Sequence, residues 1–163
     1  MNNDWGDHKQ RLEFTERVAR KIVDVDQTAA AADLSCGDGY WERVFPDWDW
    51  QLGDYASGYE YVGPIEDMID RIFDVDIFFF CETIEHLEDP DYVLRRIREK
   101  SKKLILSTPL RYAEMGPDPN PQHYWAWDEA MIRKMLVDSG WTPKEYTQTR
   151  YQPGYIFQIW GCE

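Results

Sequence analysis

The side chains able to do chemistry in this chain gather in a few short stretches. Asp33-Leu34-Ser35-Cys36-Gly37-Asp38-Gly39 follows the apolar run 29–32 and sets two glycines around an aspartate. Such a stretch reads as a buried strand ending in a tight loop, where backbone approaches a ligand closely. Asp54 ends the next strand-like segment, and an ionised carboxylate there can accept from two adjacent ribose hydroxyls. Glu82, Glu85 and His86 follow a third apolar run, and His123 stands in a proline-rich stretch. The first two stretches predict a nucleoside crevice at the carboxyl ends of parallel strands. The others set carboxylates and imidazoles beside it, the groups that move protons near neutral pH.

The elements that must hold these groups follow from hydrophobic period and turn residues. Phe14, Val18, Ile22 and Val25 give helical spacing over 8–25. A first strand is predicted at 29–35, and a short helix from Tyr40 stops before Pro46. Residues 50–54 form a second strand and Tyr61-Val62 a third. The link 55–60 is too short for a crossover helix between parallel strands. A short helix at 65–72 precedes Val75-Asp76-Ile77-Phe78-Phe79-Phe80-Cys81, whose near-continuous apolar character marks a central parallel strand. Asp89-Pro90 is an N-cap with proline at the first helical position. A buried strand at 103–107 is closed by Thr108-Pro109, and 111–124 is a long loop of the kind that carries function. Asp128 caps a last helix with Met131, Ile132, Met135 and Leu136 inside, ended by Gly140. Residues 144–149 and 155–160 pair as a hairpin through Gln152-Pro153-Gly154.

At 163 residues the chain is read as a single domain, 1–163, with no internal repeat. The hydrophobic fraction of 43% supports a real core, and the net charge of −13 disfavours a nucleic-acid phosphate surface. The basic run 95–103 reads as the solvated face and last turn of a helix, where cations suit the macrodipole. Three cysteines, Cys36, Cys81 and Cys162, make no CxxC pair or metal spacing, which points to a reducing cytoplasm. No secretory pattern opens the sequence and no apolar run is long enough to span a membrane.

The first loop also limits the nucleotide. A dinucleotide fingerprint needs a third glycine where Glu42 stands, and no GxxxxGK[ST] occurs. Acidic residues before and inside the loop suit a ligand without phosphates and with a positive centre, such as S-adenosyl-L-methionine. At this point the sequence resembles the class I S-adenosylmethionine-dependent methyltransferases over nearly its whole length. Residues 33–39 look like their (D/E)xGxGxG motif, with Ser35 in place of the first glycine, and Asp54 matches their ribose-binding acid. Residues 81–90, Cys-Glu-Thr-Ile-Glu-His-Leu-Glu-Asp-Pro, resemble the ExxEHxxDP signature of the small-molecule branch. Leu106-Ser107-Thr108-Pro109 resembles the S-T-P that ends the fifth strand, and His123-Tyr124-Trp125 with Trp127-Asp128 resembles that branch's substrate-side loop.

The resemblance implies an α/β, doubly wound, mainly parallel seven-stranded sheet with an antiparallel C-terminal hairpin, abbreviated between strands two and three. It implies cofactor binding by Asp33, Ser35, Cys36, Gly37, Asp38, Gly39, Asp54, Tyr55, Ile65, Glu66, Cys81 and Glu82. Pro64 falls where an adenine-binding Asp is usual, so Ile65 and nearby backbone, with Glu66 or Asp67 as acceptor, are expected to hold the base. The abbreviated link leaves the site open or completed by a second subunit, as in a homodimer.

Methyl transfer needs orientation and, for a hydroxyl acceptor, a base. His86 and His123 are the candidate bases, and Glu82 binds substrate or sets an imidazole tautomer; the alternative for each histidine is loop fixing. His8 reads as a solvated helix residue. Asp38 either meets the methionine amino group or only shapes its turn. Among Trp5, Trp41, Trp125 and Trp127 core packing is the default, with Trp125 and Trp127 also suited to a sugar-stacking or lid surface. No metal site is expected, because Glu82, Glu85 and His86 lack a fixed ligand face. The expected acceptor is a small molecule or glycan, with a hydroxyl favoured and an amine left open. DNA amino-methylation and cytosine-C5 chemistry are disfavoured, since neither an Asp/Asn-Pro-Pro-aromatic motif nor a Pro-Cys nucleophile is present. A non-catalytic cofactor-binding partner protein and a protein side-chain methyltransferase are the competing readings.

Overall fold

Phe78 and Phe80 belong to one buried cluster and Ile77 and Phe79 to another, so a single strand supplies both halves of the core. Alternation of side chains along a strand that is covered on both faces requires this. The computed structural model describes residues 6–24, 27–149 and 156–163. Within them the strands are β1 (Ala30–Asp33), β2 (Asp49–Asp54), β3 (Tyr61–Val62), β4 (Val75–Cys81), β5 (Ser101–Leu110), β6 (Pro143–Gln148) and β7 (Ile156–Cys162). They form one seven-stranded sheet in the order β3-β2-β1-β4-β5-β7-β6. All neighbours are parallel except β7, which runs antiparallel to both β5 and β6.

The helices are α1 (Gly6–Ile22), α2 (Tyr40–Val44), α3 (Ile65–Met68), α4 (Pro90–Lys100) and α5 (Glu129–Asp138). Val18, Ala19 and Ile22 of α1 and Trp41 of α2 pack with Ile77 and Phe79 on one face of the sheet. Trp41 stacks on Phe79 at 4.9 Å, and Phe45 stacks on Trp48 at 4.2 Å. On the other face Met68 of α3, Val93, Leu94 and Ile97 of α4, and Ile132 and Leu136 of α5 close over Phe78 and Phe80. Each large side chain moved wholly out of water stabilises by about 1.5–3 kcal/mol.

Most elements lie where the sequence places them, including both caps. Asp89 Oδ1 accepts from the Tyr92 N–H, and Asp128 Oδ1 accepts from the Met131 N–H, each at 2.9 Å. Three details differ. The α3 helix ends at Met68 rather than at 72. Met131 is 54% exposed, so the inner face of α5 is carried by Ile132 and Leu136 with Met135 partly buried. The strand predicted at 103–107 runs on through Pro109 to Leu110, because β7 pairs with it as far as Leu110↔Ile156. The β4 ladder stops at Ser107, so the proline's missing N–H falls beyond that neighbour. The short link 55–60 is compatible with parallel pairing because β3 contributes only Tyr61 and Val62, opposite Gly53 and Asp54. Val25 and the hairpin turn at Gln152-Pro153-Gly154 lie outside the described residues. The basic run is consumed locally: Arg96 pairs with Asp70, Arg98 donates to the Gly140 carbonyl, and Lys102 pairs with Asp76. No helix among the described residues is long and apolar enough to cross a membrane.

Candidate functional site

Strand order reverses between β1 and β4, and the carboxyl ends of these two strands open the crevice where doubly wound sheets take ligands. A cavity of about 520 Å³ occupies it, lined by the β1 loop, Cys81 and Glu82 at the end of β4, Trp41 of α2, and Arg11 and Leu12 of α1. That volume is in the range of small-molecule sites.

Asp33 ends β1 and is 4% exposed. Its Oδ1 accepts from the Ser35 N–H at 3.0 Å and lies 3.5 Å from Ser35 Oγ. Burial pushes its carboxyl up to about 7, against the hydrogen bonds from Ser35, and the nearby charge of Asp54 acts in the same direction as burial. Ser35 Oγ is 2.6 Å from Thr83 Oγ1, which also lies 3.0 Å from the Cys81 carbonyl. The serine that replaces a glycine therefore ties the loop after β1 to the loop after β4.

Gly37 sits at φ +56° with open space where a side chain would begin, as a backbone that must face a ligand requires. Its N–H donates to Asp54 Oδ2 at 2.9 Å, and the Ala56 N–H donates to Asp54 Oδ1 at 2.9 Å. Each oxygen of Asp54 keeps a further lone pair for a hydroxyl donor. The Tyr59 hydroxyl donates to the Gly37 carbonyl at 2.6 Å, so the abbreviated link closes onto the glycine loop. Asp38 is exposed and ion-paired with Arg43 at 2.8 Å, which favours its turn-shaping role.

Two residues expected to contact the cofactor differ sharply in exposure. Ile65 is 3% exposed inside the core with Leu34 and Met68, so its side chain has little surface to offer a base. Tyr55, directly after Asp54, is 76% exposed and presents its ring instead. Burial pushes the thiols of Cys36 and Cys81 up to about 12, so both stay protonated at neutral pH and neither is a nucleophile.

The carboxylates beyond β4 are tightly held. Glu82 adopts φ +53°, an unusual left-handed conformation for a residue with a side chain, and its Oε1 accepts from Ser107 Oγ at 2.9 Å. Backbone strain of this kind clusters at functional sites. Glu85 is 1% exposed, and its Oε2 accepts from Thr108 Oγ1 at 2.9 Å. Burial raises the Glu85 carboxyl well above its usual range, and the neighbouring Glu82 adds to the shift. The Ser107-Thr108 pair within β5 thus positions both acids.

The long loop folds back over this end of the sheet. Its Tyr124 N–H donates to the Glu85 carbonyl at 2.9 Å, and the Trp125 indole donates to the Leu87 carbonyl at 2.7 Å. That docking brings the rings of His86 and His123 edge to face at 4.7 Å. His86 Nδ1 is 3.0 Å from the Gln122 carbonyl, and His123 Nδ1 is 2.9 Å from Asp118 Oδ2. Glu85, His86 and His123 each offer a ligand-type atom within 4.8 Å of the others. Trp127 is buried and stacks on the partly exposed Trp125 at 6.1 Å. Trp5 lies outside the described residues.

Sequence reasoning missed Arg11. Its Nε is buried at the cavity with no hydrogen-bond partner among the described residues, and its guanidinium lies over the Phe157 ring at 5.7 Å. The signal was present in the helical period, since buried Thr15, Val18 and Ile22 lie on the same face one turn and more along α1.

No family model matches the chain, and no curated protein matches it. Solved structures do. Magnesium protoporphyrin IX methyltransferase from Synechocystis PCC 6803, crystallised with S-adenosylhomocysteine, superimposes with a TM-score of 0.74 at 16% identity, covering 99% of this chain and 87% of that one. The 1,6-didemethyltoxoflavin-N1-methyltransferase of Burkholderia thailandensis, with its acceptor and S-adenosylhomocysteine bound, gives 0.71 at 14% identity, over 98% and 80%. The [4+2]-cyclase SpnF gives 0.70 at 16% identity, over 94% and 79%. The chain has the fold of the class I S-adenosylmethionine-dependent methyltransferases. The cyclase among its neighbours is a reminder that this fold does not fix the reaction by itself.

Proposed function

We propose that this chain is an S-adenosylmethionine-dependent methyltransferase acting on a hydroxyl of a small molecule or glycan. The observation that carries the reading is the adjacency of two groups of side chains. The cavity is lined by Asp33, Gly37, whose N–H Asp54 holds, and Glu82, and Glu82 neighbours Glu85 of the Glu85, His86 and His123 cluster.

In this reading Asp54 takes the ribose hydroxyls with its spare lone pairs, and Tyr55 presents a ring face to the adenine, with Glu66 as acceptor for its amino group. Asp33 faces the cationic methionine end, and the Arg11 Nε–H, without a partner among the described residues, meets the carboxylate of that end. The cofactor supplies an electrophilic sulfonium methyl when bound. The chain's residues hold the acceptor oxygen in line with it, which is where most of the rate comes from. The carbon–oxygen bond would form from an oxygen lone pair as the carbon–sulfur pair goes to sulfur, and the hydroxyl proton would pass to water. Trp125, exposed beside His123, offers a flat face for a sugar ring. The chain is read as one domain over 1–163, acting in the cytoplasm.

The test is methyl transfer from isotopically labelled S-adenosylmethionine to polyhydroxylated acceptors, sugars first, followed by mass spectrometry. Label on an acceptor oxygen, lost in Asp54→Ala, is the expected result. Tight cofactor binding with no transfer to any hydroxyl would favour the non-catalytic alternative.

A further inference from the structure

We infer that Glu85, His86 and His123 form a binding site for one divalent first-row transition cation, which holds and activates the acceptor hydroxyl. The inference deepens the methyltransferase reading and rests on it for the cation's role, but the site itself stands on geometry alone. The ligand-type atoms of the three residues converge within 4.8 Å although they come from the turn after β4 and from the far end of the long loop.

The hydrogen bonds around them fix which ring nitrogens keep a lone pair. His86 Nδ1 meets the carbonyl of Gln122 and His123 Nδ1 meets the carboxylate of Asp118, both pure acceptors. Each Nδ1 therefore carries the proton, and each Nε2 carries the lone pair a metal needs. Asn120 confirms the tautomer of His123: its Oδ1 accepts from the Gln122 N–H, which leaves its amide nitrogen to donate to His123 Nε2 at 2.9 Å. A cation would take that lone pair in place of the amide. Asp118 and His123 side chains are 7% and 5% exposed, so the carboxylate–imidazole pair is rigid and buried, the arrangement that orients metal-bound histidines.

Glu85 completes the set. Thr108 holds one of its oxygens at 2.9 Å. Glu82 stands beside it, and neither carboxylate forms an ion pair among the described residues, so a dication would offset the repulsion between two adjacent acids. Two imidazoles and a carboxylate leave open coordination positions, a donor set suited to Mn²⁺, Fe²⁺, Co²⁺ or Zn²⁺. An acceptor hydroxyl with an oxygen on the neighbouring carbon, as in a sugar diol, fills two of them. Coordination lowers the hydroxyl's pKa. Its proton passes to water, its oxygen attacks the sulfonium methyl, and the thioether leaves neutral.

The experiment is titration of the chelator-stripped full chain with Co²⁺ and Mn²⁺, followed by calorimetry and by the visible d–d bands of Co²⁺. One equivalent is expected to bind at micromolar affinity or tighter. His86→Ala and His123→Ala should each weaken it by about 100-fold, and Asp118→Asn by about 10-fold. S-adenosylhomocysteine titration of each variant shows that the fold is intact, and His86→Gln serves where the alanine variant does not fold. No stoichiometric uptake by wild type, or uptake unchanged in the histidine variants, overturns the site while leaving the cofactor reading standing. Specific uptake without methyl transfer leaves the site standing and sinks the reading of its role.

Discussion

The hydroxyls of Ser35 and Thr83 lie 2.6 Å apart and join the loops after β1 and β4 across the crevice. Ser35 Oγ also faces the buried Asp33, and Thr83 faces the Cys81 carbonyl, so the pair is one link in a chain from one strand end to the other. A hydrogen bond of this kind contributes about 1 kcal/mol net. Ser35→Ala should therefore lower stability by about that amount and weaken S-adenosylhomocysteine binding several-fold, because the loop that faces the ligand loses its tie. Chemical denaturation and calorimetry on the variant check both. Unchanged affinity would mean the tie plays no part in shaping the site.

Asp33 gives a pH dependence with a definite sign. Its carboxyl is raised from 3.8 to about 7 by burial, so the folded chain holds this proton more tightly than the unfolded chain does. This group's contribution to stability is present below about pH 4 and is lost as pH rises towards 7. A ligand with a cationic amino end favours the ionised form, so binding should release a proton near pH 7. Cofactor affinity should then climb between pH 6 and 8, by about tenfold for each unit by which the ligand depresses the pKa. Calorimetry in buffers of different ionisation enthalpy measures the proton directly. Release of the same size in Asp33→Asn would assign it to another group.

Arg11 should matter for binding and not for folding. Its buried Nε–H has no acceptor among the described residues, and the cavity is where one would arrive. Arg11→Met keeps the packed stem and removes the charge. The expected result is at least tenfold weaker S-adenosylhomocysteine binding with a melting temperature within a few degrees of wild type. Adenosine, which lacks the carboxylate, should lose nothing. A parallel loss for adenosine would place the residue's effect on the fold.

Gly53 tests the packing under the nucleoside site. A methyl group there would meet Leu34 Cδ2 and Met68 Sδ at 2.9 Å and Tyr61 Cβ at 3.0 Å, closer than real contacts allow. Its carbonyl also accepts from the Cys36 N–H at 3.1 Å, so displaced packing moves the glycine loop. Gly53→Ala should cost about 1–3 kcal/mol, as overpacking does. A thermal melt unchanged from wild type would contradict the close packing.

Much of this site was legible because the informative residues are local in sequence. Asp33, Gly37 and Gly39 announce a strand and its turn, Asp54 ends the next strand, and Phe78 to Phe80 mark the centre of the sheet. The helix caps at Asp89 and Asp128 were legible for the same reason. What was not legible depends on long-range packing. The pairing of His86 with His123 exists only because Tyr124 and Trp125 dock on the turn after β4, and no local period encodes that. Spacing alone therefore suggested no metal site. Ile65 looked available to a base because the loop chemistry is visible in sequence, whereas its burial at the start of α3 is set by packing with Leu34 and Met68. Strand β5 outran its prediction because proline at 109 reads as a stop, while its partner β7 is remote in the chain.

The most direct test of the central claim is calorimetric titration of the chain with S-adenosylhomocysteine, repeated on Asp54→Ala. Asp54 supports the Gly37 loop and supplies the ribose acceptors, so the account predicts one micromolar site per chain, weakened by about 100-fold in the variant, a change of about 2.7 kcal/mol. Absence of binding by the wild-type chain, or equal affinity in a folded Asp54→Ala variant, would contradict it.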